Sequence, residues 1–186
     1  ENAWEKGWVK PIEVSYEKKQ SVGIIGAGPA GLACAEDLRK LGYQITVYDR
    51  YDRAGGLLIY GIPNFKLEKY VVTRRTQLLK DSGINFVQNF EVGRDETLDQ
   101  LREKHDVVLI ATGVYKPREI ELPGSDLHNI FPAMEFLTAS NKKGLGDSVK
   151  LFEDGTLNAE GKNVVVIGGG DTAMDCVRTS IRQKAK

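Results

Sequence analysis

The sequence predicts an α/β protein built on a parallel sheet, in two units of one design. Short runs of β-branched apolar residues alternate with helix-length amphipathic stretches, and two of those runs end in glycine clusters that open directly into a helix. The two clusters also repeat. Setting "VGIIGAGPAGLAC" (Val22 to Cys34) over "VVVIGGGDTAMDC" (Val164 to Cys176) pairs Gly26 with Gly168, Gly28 with Gly170 and Cys34 with Cys176, each 142 residues apart.

Each element follows from its local pattern. Residues 1–20 form a leading segment whose Trp4 and Trp8 are expected to anchor on the body. Ser21 to Ala27 is apolar enough for a buried strand, Pro29 to Leu41 reads as a helix stopped by Gly42, and Gln44 to Asp49 is the next strand, which completes a βαβ unit. The glycine-rich "DRAGGLLIYGIPNF" reads as a loop. A helix is expected from about Leu67 to Asp81, ended by Gly83, then a short strand near Ile84 to Val87, a helix near Leu98 to Lys104, and the apolar strand "DVVLIATG". Pro117, Pro123 and Gly124 mark a connection. A helix near Ala133 to Ser140 precedes a polar stretch, and a final strand and helix begin at Asn163. The resulting division is a first domain at 21–122 and, at 123–186, a connection with the start of a second domain.

Composition excludes several classes of function. Lys and Arg number 26 and so do Asp and Glu, so no net charge draws the chain toward nucleic acid or an anionic membrane. No apolar run approaches the roughly 18 residues of a membrane span, and the polar opening "ENAWEKGWVKP" does not read as a signal peptide. Cys34 and Cys176 are the two cysteines; they build neither a disulfide framework nor a metal site, and their setting reads as reducing and cytoplasmic. They fall on the helix face that meets a sheet and read as small buried side chains. His105 and His128 have no ligand-spaced partner and are assigned solvated or capping roles, Arg74 and Arg75 a solvated helix face. No residue pattern points to hydrolytic or acid–base catalysis, so no catalytic residue is assigned.

The chemistry lies in the glycine clusters. "GAGPAG" is a complete G-x-G-x-x-G between a strand and a helix: Gly26 makes the turn, Gly28 lets backbone approach a pyrophosphate, Gly31 lets helix and strand pack closely, and the helix N-terminus faces the anion. Asp49 ends the next strand, where an acid accepts adenosine ribose hydroxyls. That combination is Rossmann-like and holds the half that FAD and NAD share. Gly55, Gly56 and the distal Ala111-Thr112-Gly113 resemble the additions of flavoproteins with two dinucleotide-binding domains, which favours FAD. The second cluster, Gly168, Gly169, Gly170, Asp171 and Thr172, with Ala173 in the place of Gly31, reads as the opening of a nicotinamide-nucleotide site; Asp171 and Thr172 also suit a helix cap. The residue that separates NADP from NAD is expected on a following strand, past Lys186.

At "AGGLLIYGIPNFKLEK" the likeness narrows. With "GAGPAGLACAEDLRKLGY", "NFEVGRD", "LIATGVYKPREIELPG" and "VVVIGGGDTAMDCVRTSIRQ", the chain resembles the small (beta) subunit of bacterial glutamate synthase over nearly its whole length. The resemblance implies that NADPH gives hydride to FAD and that electrons leave through iron-sulfur clusters, outside this chain, to the large (alpha) subunit, where glutamate forms from glutamine and 2-oxoglutarate. It places the FAD pyrophosphate at Gly28, Pro29, Ala30, Gly31 and Leu32 and the ribose at Asp49. The flavin side falls at Gly55, Gly56, Leu57 and Lys66, adenine near Val92, and closure of the site at Thr112 and Gly113. The resemblance points NADPH to Gly169, Gly170, Asp171 and Thr172. It also implies a piece from the middle of a longer subunit, with cluster cysteines before Glu1. Ferredoxin:NADP oxidoreductases of the bifurcating type and dihydropyrimidine dehydrogenase are alternative bearers of the same module, and a non-catalytic nucleotide-binding domain is the alternative of another class.

Overall fold

The computed structural model describes residues 1–117 and 123–186. The elements run α1 (Asn2–Glu5), β1 (Ser21–Ile25), α2 (Pro29–Lys40), β2 (Gln44–Tyr48), α3 (Leu57–Tyr60), α4 (Lys69–Asp81), β3 (Asn85–Val87), α5 (Leu98–Lys104), β4 (Val107–Ile110), α6 (Ala133–Gly144), α7 (Lys150–Glu153) and α8 (Asp171–Arg182). They form two compact units, Glu1–Gly56 with Tyr70–Gly113 and Leu57–Lys69 with Val114–Lys186. The domain boundary expected at 122/123 touches residues outside those described.

The first unit contains a four-stranded sheet in the order β3-β2-β1-β4, with every pairing parallel. β1 lies between β2 and β4, with Ile24 opposite Val47 and Leu109, and it is buried almost throughout, which is why it reads as a continuous apolar run. Ile24, Val47, Leu79 and Ala35 close one core cluster; Ile25, Tyr48 and Leu101 close another. Each such aliphatic side chain contributes about 1.5–3 kcal/mol by leaving water. Helix ends follow local chemistry. Pro29 starts α2, Gly42 takes φ 89° just past its end, and Thr97 caps α5 by accepting from the Gln100 N–H (3.2 Å) while Gln100 accepts from the Thr97 N–H (2.8 Å).

The second unit is helical among the described residues. Leu137 of α6 is fully enclosed, and Cys176 of α8 is buried. Gln183 ties the unit together: its amide donates to the Ser140 hydroxyl at 3.1 Å and its carbonyl accepts from the Ala159 N–H at 2.9 Å.

Several expectations need correction. The expected strand from Asn163 is not found among the described residues: residues 163–169 have no ladder partner there, and Val165 and Ile167 are 87% and 73% exposed. A strand exists only with a neighbouring backbone to pair with, which apolar sequence cannot supply. The glycine-rich loop contains the short α3. Trp4 meets the Arg74 guanidinium at 4.7 Å, but Trp8 is 68% exposed and does not anchor the leading segment. Arg74 and Arg75 are tethers: the first forks onto Glu1 (2.7 and 2.8 Å) and holds that carboxyl down at about 2, and the second pairs with Glu36. His105 does stand at the α5 C-cap. Its ring is half-buried between the Tyr48 hydroxyl (2.9 Å) and the Ser21 hydroxyl (3.3 Å), and burial lowers its pKa.

Candidate dinucleotide sites

The three fingerprint glycines of the first turn serve three different needs. Gly26 links β1 to α2 at φ 111°, a conformation side chains avoid, and a Cβ there would overlap the Ala111 carbonyl oxygen just past β4. At Gly31 a Cβ would overlap the Gly26 carbonyl oxygen. Gly28 is under neither constraint. It has ordinary extended backbone (φ −78°, ψ −178°), and nothing lies within 4 Å of where its Cβ would stand. Neither backbone conformation nor packing requires glycine there.

Gly28 is also the N-cap of α2. No side chain caps that helix and no acid lies in its first turn. The Leu32 N–H already bonds to the Gly28 carbonyl at 2.9 Å and its side chain belongs to the core, so the open donors come before it, beside the exposed Ala30. Uncapped N–H groups and the positive end of the helix dipole together suit a phosphate.

Asp49 closes this turn. Its carboxylate, 9% exposed, accepts from the Ala27 N–H (2.6 Å) with one oxygen and from the Tyr51 N–H (2.9 Å) with the other. Gly55 donates to the Ala27 carbonyl at 2.8 Å, and a Cβ on Gly56 would stand 2.9 Å from the Gly28 Cα. Gly26 to Gly31, Asp49, Gly55, Gly56 and the Ala111–Gly113 segment therefore meet at the carboxyl edge of β1, where the strand order reverses, with β2 on one side of β1 and β4 on the other. That is where open parallel sheets hold their ligands. Thr112 and Gly113 are exposed there. Val92 packs against the Ile25–Tyr48–Leu101 cluster, and its backbone bridges to Glu96.

The second turn lies in the other unit. Gly168 takes φ 138°, matching Gly26, and Gly170 is the N-cap of α8 in extended backbone (φ −86°, ψ 179°), matching Gly28. No side chain caps α8, so Asp171 and Thr172 do not play the capping part their types suggest; both are exposed. A Cβ on Gly169 or Gly170 would meet nothing within 4 Å. Ala173 is accommodated where the first turn needs glycine, its Cβ 3.3 Å from the position a Gly168 Cβ would take.

Leu57 and Lys66 belong to this second unit. Leu57 opens α3, and the Lys66 ammonium sits 3.0 and 3.1 Å from the two carboxylate oxygens of Asp175, a buried acid that sequence reasoning missed. Its signal was an acid inside the apolar stripe of α8, between Ala173 and Cys176. Lys69 was missed too. It is buried, donates to the carbonyls of Leu58 (2.9 Å) and Ile62, and has its pKa pushed down to about 8 by burial. Both cysteine thiols are raised by burial, Cys176 to about 11, which makes them poor nucleophiles.

No helix among the described residues is long and apolar enough to cross a membrane. Comparison with known proteins finds the same pattern elsewhere. The chain is 64% identical over its full length to the glutamate synthase [NADPH] small chain of Azospirillum brasilense, and 45% identical to the glutamate synthase [NADH] of Saccharomyces cerevisiae. It spans 38% of the first and 8% of the second. Among solved structures, Mycobacterium tuberculosis FprA in complex with NADPH superposes with a TM-score of 0.73 at 25% identity, covering 87% of this chain and 36% of that one. The family of pyridine nucleotide-disulphide oxidoreductases matches residues 20–185, from the start of β1 past the end of α8. With both glycine turns and the parallel sheet inside that span, the chain belongs to the pyridine nucleotide-disulphide oxidoreductase family.

Proposed function

We propose that this chain is the FAD- and NADPH-binding electron-input region of a glutamate synthase small subunit, working in the cytoplasm with a large subunit that makes glutamate from glutamine and 2-oxoglutarate. The observation that carries the dinucleotide reading is the pair Gly28 and Gly170. Each is a glycine that neither backbone conformation nor packing demands, at the bare N-terminus of a helix. The full-length match to the Azospirillum small chain supports the choice of enzyme.

On this reading, 21–122 is the FAD domain and 123–186 leads into the coenzyme domain. The backbone from Gly28 to Gly31 holds the FAD pyrophosphate. Asp49 keeps a second lone pair on each carboxylate oxygen for ribose hydroxyls while its first pairs hold the loop. Gly55 and Gly56 offer bare backbone toward the flavin half, and Leu57, Lys66, Val92, Thr112 and Gly113 complete the contacts. Lys66 retains an N–H beyond those that meet Asp175. Gly168 to Thr172 receive the coenzyme phosphates. FAD, when bound, supplies the hydride acceptance, so the chain itself needs to bind, orient and exclude rather than to move a proton. Iron-sulfur clusters elsewhere in the subunit would take the electrons onward.

The test is optical. The full-length subunit with FAD should be yellow and anaerobic NADPH should bleach it, whereas residues 1–186 alone should not turn over NADPH. Gly170→Val should slow bleaching at least about 100-fold by blocking the phosphate approach while leaving FAD content unchanged. A colourless protein, or wild-type bleaching in the variant, contradicts the reading.

A further inference from the structure

The second unit contains a cleft that neither glycine turn uses. It lies between the 63–69 segment, α6 and α8, encloses about 220 Å3 and is lined among others by Asn64, Phe65, Lys69, Ser140, Thr179 and Arg182. Its volume corresponds to about seven waters. Two of the lining residues are cations, and no lining residue is acidic. Neither cation forms an ion pair among the described residues. Lys69 spends two donors on the Leu58 and Ile62 carbonyls and keeps a third. Arg182 lays its guanidinium over the Phe65 ring at 3.8 Å, spends one donor on the Arg178 carbonyl, and has the rest of its fork open.

Thr179 adds an independent sign. It is 5% exposed, lines the cleft, and its hydroxyl has no hydrogen-bond partner among the described residues. A buried hydroxyl without a partner is costly, so its retention calls for an acceptor that the described residues do not provide. The Ser140 hydroxyl accepts from Gln183, which leaves its own proton to donate. Donors thus dominate the cleft. Two positive charges call for two negative ones, and the Pro63 and Phe65 wall suits a short carbon chain.

We propose that this cleft binds a short-chain dicarboxylate, with Lys69 and Arg182 neutralising its charges and the Thr179 hydroxyl donating to one carboxylate oxygen. The site is separate from the proposed FAD and coenzyme contacts, and its test does not depend on them.

Succinate titrated calorimetrically into the purified protein, with inorganic phosphate as a parallel arm at equal ionic strength, should give saturable binding that is tighter for succinate. Arg182→Gln, at the exposed mouth, should weaken it about tenfold or more through loss of a charge-assisted contact. Thr179→Val should weaken it severalfold while raising the thermal midpoint of the ligand-free protein, because the unpaired hydroxyl is gone. Lys150→Gln on α7, outside the cleft, should leave binding unchanged. The proposal is overturned by the absence of saturation up to about 20 mM succinate, well beyond the millimolar range of weak specific sites. Phosphate binding as tight as succinate binding, or unchanged affinity in Arg182→Gln, overturns it equally.

Discussion

The two glycine turns share backbone geometry and differ in what holds them. In the first, β1 is paired on both sides, the Asp49 carboxylate grips the Ala27 N–H, and the Ala111 carbonyl stands so close to Gly26 that no side chain fits on Gly26. In the second, residues 163–167 lead into Gly168 without a ladder partner among the described residues, and Ala173 fits where the first turn demanded glycine. The helix starts differ too. α2 has no acid in its first turn, whereas α8 carries Asp171 at its positive end. An acid at the positive end of a helix favours the helix by itself, so the second turn has a local stabilising charge that the first lacks. The lesson is that one fingerprint combines two requirements. Its first and third positions answer to the protein's own packing and its middle position, on the function proposed above, to the ligand; the packing demands vary between the copies while the middle glycine does not.

The largest expected effect comes from exchanging the residues on which the turns differ. Gly31→Ala should destabilise the first unit by about 3 kcal/mol or more, since its Cβ overlaps a backbone oxygen fixed by a paired sheet. The reciprocal Ala173→Gly should cost only about 1 kcal/mol, the ordinary price of glycine in a helix. Denaturant unfolding of the two variants gives both values, and equal losses would erase the contrast between the turns.

A smaller effect tests the acid of each turn. Asp49→Ala leaves the buried Ala27 N–H without its acceptor and should cost about 1–3 kcal/mol of stability, with a parallel loss of FAD retention. Asp171→Ala removes an exposed acid from a helix end and should cost about 0.5 kcal/mol. Thermal midpoints measured side by side distinguish a clamp from a surface charge; a harmless Asp49→Ala would show that the carboxylate does not hold the loop.

The smallest effect on folding is the one that isolates function. At Gly28 and Gly170 an alanine would meet no atom and adopt an allowed conformation. Its smaller entropy loss on folding and its poorer N-cap preference should offset, leaving stability within about 0.5 kcal/mol of the parent. Gly28→Ala should nevertheless weaken FAD, and Gly170→Ala the coenzyme, as read by flavin release and by the coenzyme dependence of bleaching. A large stability loss at either position would return that glycine to a packing role.

The sequence by itself determined the αβ alternation, the boundaries of most helices and the three-part use of the first fingerprint. Those depend on local patterns: Pro29 and Gly42 around α2, the Thr97–Gln100 box, the unbroken apolar run of β1. The tertiary structure decided matters that depend on partners distant in the chain. Val164 to Ile167 have strand composition but no ladder partner among the described residues, because hydrogen-bond pairing is a property of two segments and periodicity is a property of one. Asp175 could not be read as the partner of Lys66, nor Lys69 as a buried lysine, until α3, α6 and α8 came together around them. The charge and burial of a side chain are set by which surfaces the fold brings beside it, and that is the part of the site a linear pattern does not contain.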